Sequence, residues 1–388
     1  MFLQLVRLIR LNFFQTQELT RMDCRQTVRY LVYICVLFWG TSLVAEELRW
    51  THFGMRPLAM GNAYVAVADD YNALFYNPAG LARLKEWDGE FLNPSVEIGK
   101  STVDFINELL ELPSGSFEQT SDILDLFQNQ TGKIHHMAGY LTPHLIFKHF
   151  GLGVGLSLPF SLVAHSNINI EFKTGLRVVA PISFAMNFLE DRLSVGGSLK
   201  LLAQGGINAD FTIQTISALK DSDELENYVE GGSAVGADVG VLFTPIKTME
   251  PTFGLSITDV GGSTYEKMDV GGTAIGAPEA RLPSVNTGFS IKPIKTDMMY
   301  VMAAVDAHMI NQPVHYSHKL NVGLEWGYSE IIKVQTGLKE GYLTGGFQFD
   351  VGLLNLRFAT YAVDHAPVVG THDDLAERRY TMQLKLLI

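Results

Sequence analysis

The sequence has only two cysteines, Cys24 and Cys35, among its 388 residues. Both lie within the first 45 residues, so the rest of the chain has no thiol. A disulfide framework, a thiolate metal site and a cysteine nucleophile are therefore excluded for residues 46–388. Cys35 lies in the middle of an apolar stretch rather than at its end, which argues against a lipid-modified cysteine.

Charged residues are also scarce, at 18% of the chain against about 25% in soluble domains. After residue 45, however, no uninterrupted apolar run reaches the roughly 18 residues that a membrane-spanning helix needs. The formal net charge of −12 gives no basic footprint for nucleic acid, so no nucleic-acid partner is predicted. Transmembrane β-barrels combine these properties, because only alternate residues of their strands face lipid.

The N-terminus has the pattern of an export signal. Arg25 and Arg29 precede the apolar stretch "YLVYICVLFWG", and "TSLVAEE" then offers cleavage after Ser42 or Ala45. The apolar stretch is too short to span a bilayer comfortably, which favours a secretory signal peptide over the alternative of an uncleaved anchor. We therefore expect export, followed by removal of the signal peptide.

Alternation with a period of two dominates the rest of the chain. In "FGLGVGLSLPFSLVA" (150–164) every even position is apolar and nearly every odd position is small or weakly polar. This is the repeat of a β-strand, and about 9–11 residues suffice for a tilted strand to cross a bilayer. The same alternation recurs in residues 193–203, 234–243, 299–309, 320–329, 353–362 and 380–388. The pattern predicts an all-β transmembrane antiparallel barrel of about 14 strands.

The strand count depends on residues 166–188, which form either one strand or two, so the range is 14 to 16. A soluble β-sandwich is the competing interpretation, but such domains usually end after about 100 residues. Here no linker interrupts the alternation, and a sheet of this length must close or split to avoid open edges. The barrel is the favoured fold.

The chain divides into three regions. Residues 1–45 are the N-terminal extension and signal peptide, residues 46–88 a segment rich in small residues, and residues 89–388 the barrel. A helical insert is expected near residues 101–131, where "TVDFINELLEL" and "SDILDLFQ" place apolar residues three and four positions apart.

The stretch "FGMRPLAMGNAYVAVADDYNALFYNPAGLARL" (53–84) is rich in small residues. Gly61 permits a positive φ or a close backbone approach. Asn77 can close an Asx turn, Pro78 restricts Asn77 to an extended conformation, and Gly80 frees the exit from the turn. A segment this compact fits inside a narrow lumen.

Charged residues in this stretch suggest how it is held in place. Arg56 and Arg83 lie near its two ends, and Asp69 and Asp70 lie between them. If the stretch occupies a barrel lumen, we expect Arg56 to pair with Asp69 or Asp70.

The same stretch resembles the N-terminal signature of the long-chain fatty acid transporter superfamily of outer-membrane proteins (FadL/TodX-type), and is closest to its PorV-like branch. Weaker similarity follows in order in residues 253–262, 282–291, 305–349 and 377–388. The resemblance implies a 14-stranded outer-membrane barrel with an N-terminal plug that contains short helices. The plug is residues 46–88, and Asn77, Pro78 and Ala79 belong to it. In the transporters the plug controls passage of hydrophobic substrates, whereas PorV-like barrels are partners in protein secretion or surface attachment.

Other candidate sites are weak. The histidines His135, His136, His144 and His149 fit no familiar zinc spacing, and strand alternation puts neighbours on opposite faces. The Asp69–Asp70 pair lacks the full ligand spacing of a calcium loop. No metal and no cofactor is predicted.

No catalytic motif stands out: the chain lacks a G-x-S-x-G elbow, a phosphate loop and a dinucleotide fingerprint after a strand. We therefore expect a protein that is not an enzyme. The predicted function is plug-gated uptake of hydrophobic, fatty-acid-like compounds across the outer membrane, and the alternative is a barrel that docks exported proteins or a secretion machine. The predicted plug and gating residues are Arg56, Gly61, Asp69, Asp70, Asn77, Pro78, Ala79 and Gly80.

Overall fold

A computed structural model gives the fold of the chain. The structure describes residues 54–111, 130–165, 170–211, 228–267, 269–270, 273–274, 276–329, 331–351, 354–365 and 376–386. The predicted signal peptide lies outside these residues.

Twenty strands account for most of the described chain. They are β1 Asp88–Glu90, β2 Ser95–Gly99, β3 Ile134–Leu141, β4 His144–Phe147, β5 Phe150–Gly153, β6 Gly155–Ala164, β7 Ile170–Phe188, β8 Leu193–Phe211, β9 Val229–Phe243, β10 Thr252–Thr258, β11 Glu266–Lys267, β12 Asp269–Val270, β13 Thr273–Ala274, β14 Ser284–Lys295, β15 Met299–Ala307, β16 Leu320–Tyr328, β17 Ile332–Lys339, β18 Tyr342–Asp350, β19 Leu354–Asp364 and β20 Ala376–Leu386.

The strands form a closed antiparallel barrel of 14 strands. Its wall runs β2–β3–β6–β7–β8–β9–β10–β14–β15–β16–β17–β18–β19–β20, and the pairing of β2 with β20 closes it. The short strands β1, β4 and β5 extend β2, β3 and β6 at one end of the wall. The predicted fold class is confirmed. Residues 170–188 of the uncertain region form one strand, β7.

The alternation in the sequence matches the two faces of the wall. Leu158, Leu199 and Val235 point outward with 60%, 66% and 67% of their surface exposed, whereas Lys200 and Asp238 on the opposite face are buried. An apolar outer band with polar groups turned inward is the arrangement of a barrel in lipid, because a polar group facing hydrocarbon would lose its hydrogen bonds.

The connections at the two ends of the barrel differ in length. Residues 148–149, 189–192 and 296–298 make short turns at one end, here called the short-turn end. Residues 259–283 and 308–319 make longer connections at the opposite end, here called the long-loop end, where residues 340–341 also form a tight turn. In bacterial barrels short turns face the periplasm and long loops face outward.

The described helices are few, and all but one lie toward the N-terminus. They are α1 Met55–Ala59, α2 Ala73–Tyr76, the 3₁₀ helix Pro78–Arg83, α3 Lys100–Glu111 and the 3₁₀ helix Tyr316–His318. Helix α3 lies in the predicted insert, and the second predicted helical stretch, 121–128, lies outside the described residues. Within the described part of the chain, no helix combines the length and apolarity needed to cross a membrane.

Residues 54–84, here called the N-terminal segment, lie inside the barrel. Nearly all of them are buried, and they contact the inward faces of strands from β5 round to β19. The segment turns instead of forming a long helix, since Gly61 and Asn62 have φ values of 63° and 66°. Pro78 occupies the first position of a 3₁₀ helix, where its missing N–H costs nothing.

Candidate functional site

Glycines on the inward wall form the surface on which the N-terminal segment lies. They occur as directly paired residues on neighbouring strands, and we call them the glycine track: Gly196 with Gly240, Gly254 with Gly288, and Gly323 with Gly337. A Cβ atom on Gly254 would lie 2.7 Å from the carbonyl oxygen of Val65, and one on Gly323 would lie 2.4 Å from that of Met60. The wall therefore touches the backbone of the segment, with no room for a side chain between them.

Gly61 contacts the same track from the segment side. A Cβ atom there would lie 2.3 Å from the carbonyl oxygen of Val322, and its φ of 63° is one that other residues rarely adopt. Close approach and backbone conformation both require glycine at this position.

Asn77 connects the segment to itself and to the wall. Its Nδ2 donates to the carbonyl oxygen of Val65 at 2.9 Å and lies 3.3 Å from that of Val241, while its Oδ1 accepts from the Ala79 amide at 3.2 Å. A Cβ atom on Gly240 would lie 1.9 Å from this Oδ1. The Asx turn expected from the sequence is thus present and seated on the glycine track.

Pro78, Ala79 and Gly80 continue this contact. A Cβ atom on Gly196 would lie 2.5 Å from the backbone of Pro78 and Ala79. Gly80 packs within the segment, since a Cβ atom there would lie 1.8 Å from the carbonyl oxygen of Ala68. The predicted Asn-Pro-Ala residues therefore meet the wall at β8 and β9.

A second contact is ionic and centres on Arg56. Its Nη1 lies 2.6 Å from Asp69 and 3.1 Å from Asp70, and also donates to the Tyr64 hydroxyl at 2.7 Å. Its Nε and Nη2 each donate to a carboxylate oxygen of Glu325 on β16, both at 2.7 Å. The ion pair expected from the sequence is present, but the bidentate partner on the wall was not anticipated. We call these five residues the Arg56 cluster.

Glu325 is fully buried and saturated with donors. Besides Arg56, the Tyr300 hydroxyl donates to it at 2.8 Å and the Gln335 amide at 3.0 Å. A buried carboxylate in this state is costly to separate from its partners, because removal leaves an uncompensated charge in the lumen.

Asp69 extends the Arg56 cluster toward the short-turn end. Lys292 on β14 lies 3.7 Å from Asp69 and 3.3 Å from Glu250. Burial alone would raise the pKa of Asp69, but the Arg56 guanidinium and the Lys292 ammonium outweigh it and hold the pKa well below its usual range. Asp69 therefore stays ionised wherever an ordinary aspartate does, and into more acidic solution.

This lowered pKa predicts how the docked segment responds to pH. A depressed pKa contributes stability that is fully present above the ordinary aspartate value of about 3.9 and is lost as the pH falls below it. We expect hydrogen exchange of residues 54–84 to be constant from about pH 8 to pH 5, once corrected for intrinsic rates, and to accelerate below about pH 4. Asp69→Asn should flatten the part of this response that Asp69 causes, and an unaltered acid response in that variant would contradict the assignment.

Asp306 on β15 provides a third contact. Its Oδ2 accepts from the backbone amides of Tyr64 and Val65 at 2.5 and 2.7 Å, and His308 Nε2 lies 3.2 Å away. The carboxylate satisfies two amides at the start of a tight turn in the segment. The sequence signal was an isolated aspartate on the polar face of an apolar strand, which gave no indication of its partner.

Together, the 14 antiparallel strands, the apolar outer surface and the lumen filled by the chain's own N-terminal segment define a membrane barrel of the internally plugged type. The fold is that of the FadL/TodX-type hydrocarbon channels. No protein-family profile and no curated protein sequence matches the chain.

Two solved structures illustrate this similarity. The CymD monoaromatic hydrocarbon channel has a TM-score of 0.53 and 12% identity, over 88% of this chain and 99% of its own. The toluene transporter TodX of Pseudomonas putida has a TM-score of 0.50 and 10% identity, over 87% of this chain and 98% of its own. At these identities the likeness concerns the fold alone. The PorV-like branch and exported-protein partners stay predictions.

Proposed function

We propose that this protein is an outer-membrane channel that admits hydrophobic small molecules, with the N-terminal segment as its gate. The proposal rests on the character of the lumen. Porins for polar solutes have a polar, water-filled interior. Here the inward wall also has polar groups, but in the described part of the lumen a contiguous apolar cluster joins the segment to the wall.

Three of the wall residues in this cluster form a row on the inward faces of adjacent strands. Val179 pairs with Leu202, and Leu202 pairs with Ala234. Tyr265, from the loop at the long-loop end, packs into the same cluster, and so do Tyr64 and other residues of the segment. An apolar solute gains about 25 cal/mol per Å² of surface removed from water, so this row offers it a path from the outer loops toward the segment.

The contacts of the segment suit a gate better than a permanent seal. They combine ion pairs and hydrogen bonds at the Arg56 cluster and Asp306 with backbone packing on the glycine track. The buried Arg56–Glu325 pair is costly to break, and the other contacts can be exchanged for water when the segment shifts. We infer that the predicted residues Arg56, Gly61, Asp69, Asp70 and 77–80 hold the closed state.

Uptake by cells that express the protein tests the proposal. One compound is toluene, because the similar structures include a toluene transporter and a monoaromatic hydrocarbon channel. The other is a long-chain fatty acid, because the family resemblance implies it. We expect uptake above that of cells without the barrel. Leu202→Gln puts a polar group of similar size into the apolar row and should lower uptake about tenfold, as the burial of one leucine is worth about 1.5–3 kcal/mol.

Leu202→Met is the matched control, because it keeps the apolar character and nearly the volume, and its uptake should stay close to that of the unaltered chain. Folding of each variant is checked by gel mobility with and without boiling. A folded barrel that admits neither compound would overturn the proposal and favour the docking alternative.

A further inference from the structure

Three potential metal ligands converge at the short-turn end of the barrel, outside the contacts described above. They are His144 at the start of β4 and Asp88 and Glu90 on the neighbouring β1. Glu90 lies directly opposite His144 in the register, and Asp88 lies on the same face two residues away. One ligand atom from each lies within 4.8 Å of the other two. The strand pairing thus joins residues more than 50 positions apart, which explains why histidine spacing gave no hint of the site.

The hydrogen bonds of His144 determine which ring nitrogen carries the proton. Nδ1 lies 2.9 Å from the carbonyl oxygen of Thr142, which can only accept, so Nδ1 must be the donor. In the neutral ring Nε2 then has a lone pair, and it faces the Oδ2 of Asp88 at 3.4 Å. Two acceptors that face each other in this way need a cation between them.

The spacing favours a metal ion over a proton. Bonds of about 2.0–2.1 Å from nitrogen and oxygen to a tetrahedral Zn²⁺ place neighbouring ligands about 3.3–3.4 Å apart. The 3.4 Å between Nε2 and Oδ2 matches this edge, whereas a charge-assisted hydrogen bond is usually about 2.7–2.9 Å long. A carbonyl oxygen on the opposite ring nitrogen is also the usual way in which proteins orient a histidine ligand.

Glu90 is the third ligand, and of its two carboxylate oxygens Oε2 has fewer hydrogen-bond partners than Oε1. Its Oε1 accepts hydrogen bonds from Lys385 at 2.7 Å and Arg357 at 3.2 Å. Its Oε2 accepts one from the Asn93 side-chain amide at 2.9 Å. The two cations lower the negative charge of the site and should weaken binding. Asp88 opposes this effect, and its side chain, 42% exposed, leaves a route for the ion to enter.

We propose that His144, Asp88 and Glu90 bind one divalent transition-metal ion, with Zn²⁺ as the preferred class. Imidazole with carboxylate ligands suits zinc, whereas Mg²⁺ and Ca²⁺ prefer oxygen alone. The ion joins β1 to β4 and also reaches the gate, because the His144 ring stacks on Tyr71 of the N-terminal segment at 4.3 Å and 12°. Metal occupancy would therefore fix the wall residue against which the segment packs.

Zn²⁺ titration of the purified full-length barrel in detergent, followed by calorimetry and metal analysis after desalting, tests the site. We expect one ion per chain. His144→Gln and Asp88→Asn should each weaken binding by at least about tenfold. His149→Asn is the control: His149 lies in the adjoining turn at a φ of 78°, which asparagine tolerates, and binding should be unchanged.

The Zn²⁺ titration tests the metal site independently of any transport activity. Absence of Zn²⁺ binding to the unaltered chain would overturn the site. Undiminished binding in His144→Gln would place the ion elsewhere, with the same consequence. Should that buried substitution prevent folding, Asp88→Asn gives the answer, since it alters a half-exposed side chain. Failure of the uptake experiment would leave these results unaffected.

Discussion

Replacement of Glu325 by glutamine should release the N-terminal segment from the wall. The substitution keeps the shape of the side chain but removes the buried charge that faces both nitrogens of the Arg56 fork. Breaking a buried pair on one side costs about 3–5 kcal/mol. Since about 1.4 kcal/mol corresponds to a factor of ten, the undocked state should become at least about 100-fold more populated.

Hydrogen exchange of residues 54–84, measured by mass spectrometry, reports this change directly. We expect faster exchange in the segment and unaltered exchange in the wall strands, together with a higher ion conductance of the barrel in planar bilayers. Glu266→Gln is the control, because Glu266 is an exposed carboxylate in a long loop. Equal protection of the segment in both variants would show that Glu325 does not hold it.

Glu325 also changes how a charge exchange within the segment should be interpreted. The sequence suggests that swapping the charges of Arg56 and Asp69 would restore their pair. In the structure the swapped chain would place a carboxylate at position 56 opposite Glu325, so repulsion replaces the wall contact. We expect the double variant Arg56→Asp/Asp69→Arg to be as undocked as Arg56→Asp alone. Hydrogen exchange of residues 54–84 measures the docking of both variants.

The barrel could be predicted from the sequence because its main physical constraint is local. A strand between lipid and lumen must alternate residue by residue, so stretches such as 150–164 and 299–309 show the fold without knowledge of any partner strand. The Arg56 pair was also predictable, since Arg56 and Asp69 are only 13 residues apart in one compact segment.

The wall contacts of the segment could not be predicted in the same way. Glu325 and Asp306 lie on the polar faces of their strands, as the alternation shows, but their partners in the segment are 269 and 242 residues away. Their pairing depends on the barrel register and on where the segment crosses the lumen. Strand alternation predicts which face of the wall a residue occupies, but it does not predict which residues it contacts.

The glycine track shows the same limit. Glycines recur on both faces of these strands, and Gly196 and Gly197 are adjacent in the sequence. Only the register decides that Gly196 pairs with Gly240 beneath the Asn-Pro-Ala residues, whereas a Cβ atom on Gly197 would approach nothing closer than 3.8 Å. A side chain at position 196 would therefore collide with the segment, whereas one at position 197 would not, and substitution of each glycine tests this difference.

Gly196→Val should displace the segment, whereas Gly197→Val should leave it docked. The first valine would place its Cβ 2.5 Å from the backbone of Pro78 and Ala79, and backbone cannot rotate away as a flexible side chain can. Overpacking of this kind costs about 1–3 kcal/mol, which corresponds to about 5- to 150-fold greater release of the segment. The second valine points outward, where lipid accepts an apolar side chain.

Bilayer conductance and hydrogen exchange of residues 54–84 distinguish the two variants, which differ only in which of two adjacent glycines becomes valine. Both should still show a mobility shift on boiling, because neither substitution removes a strand pairing. Higher conductance and faster exchange in Gly196→Val alone would identify the contact between the track and the Asn-Pro-Ala residues as a determinant of the closed state. If the two variants behave alike, the glycines serve strand packing, and the ionic contacts at Arg56 and Asp306 hold the segment without them.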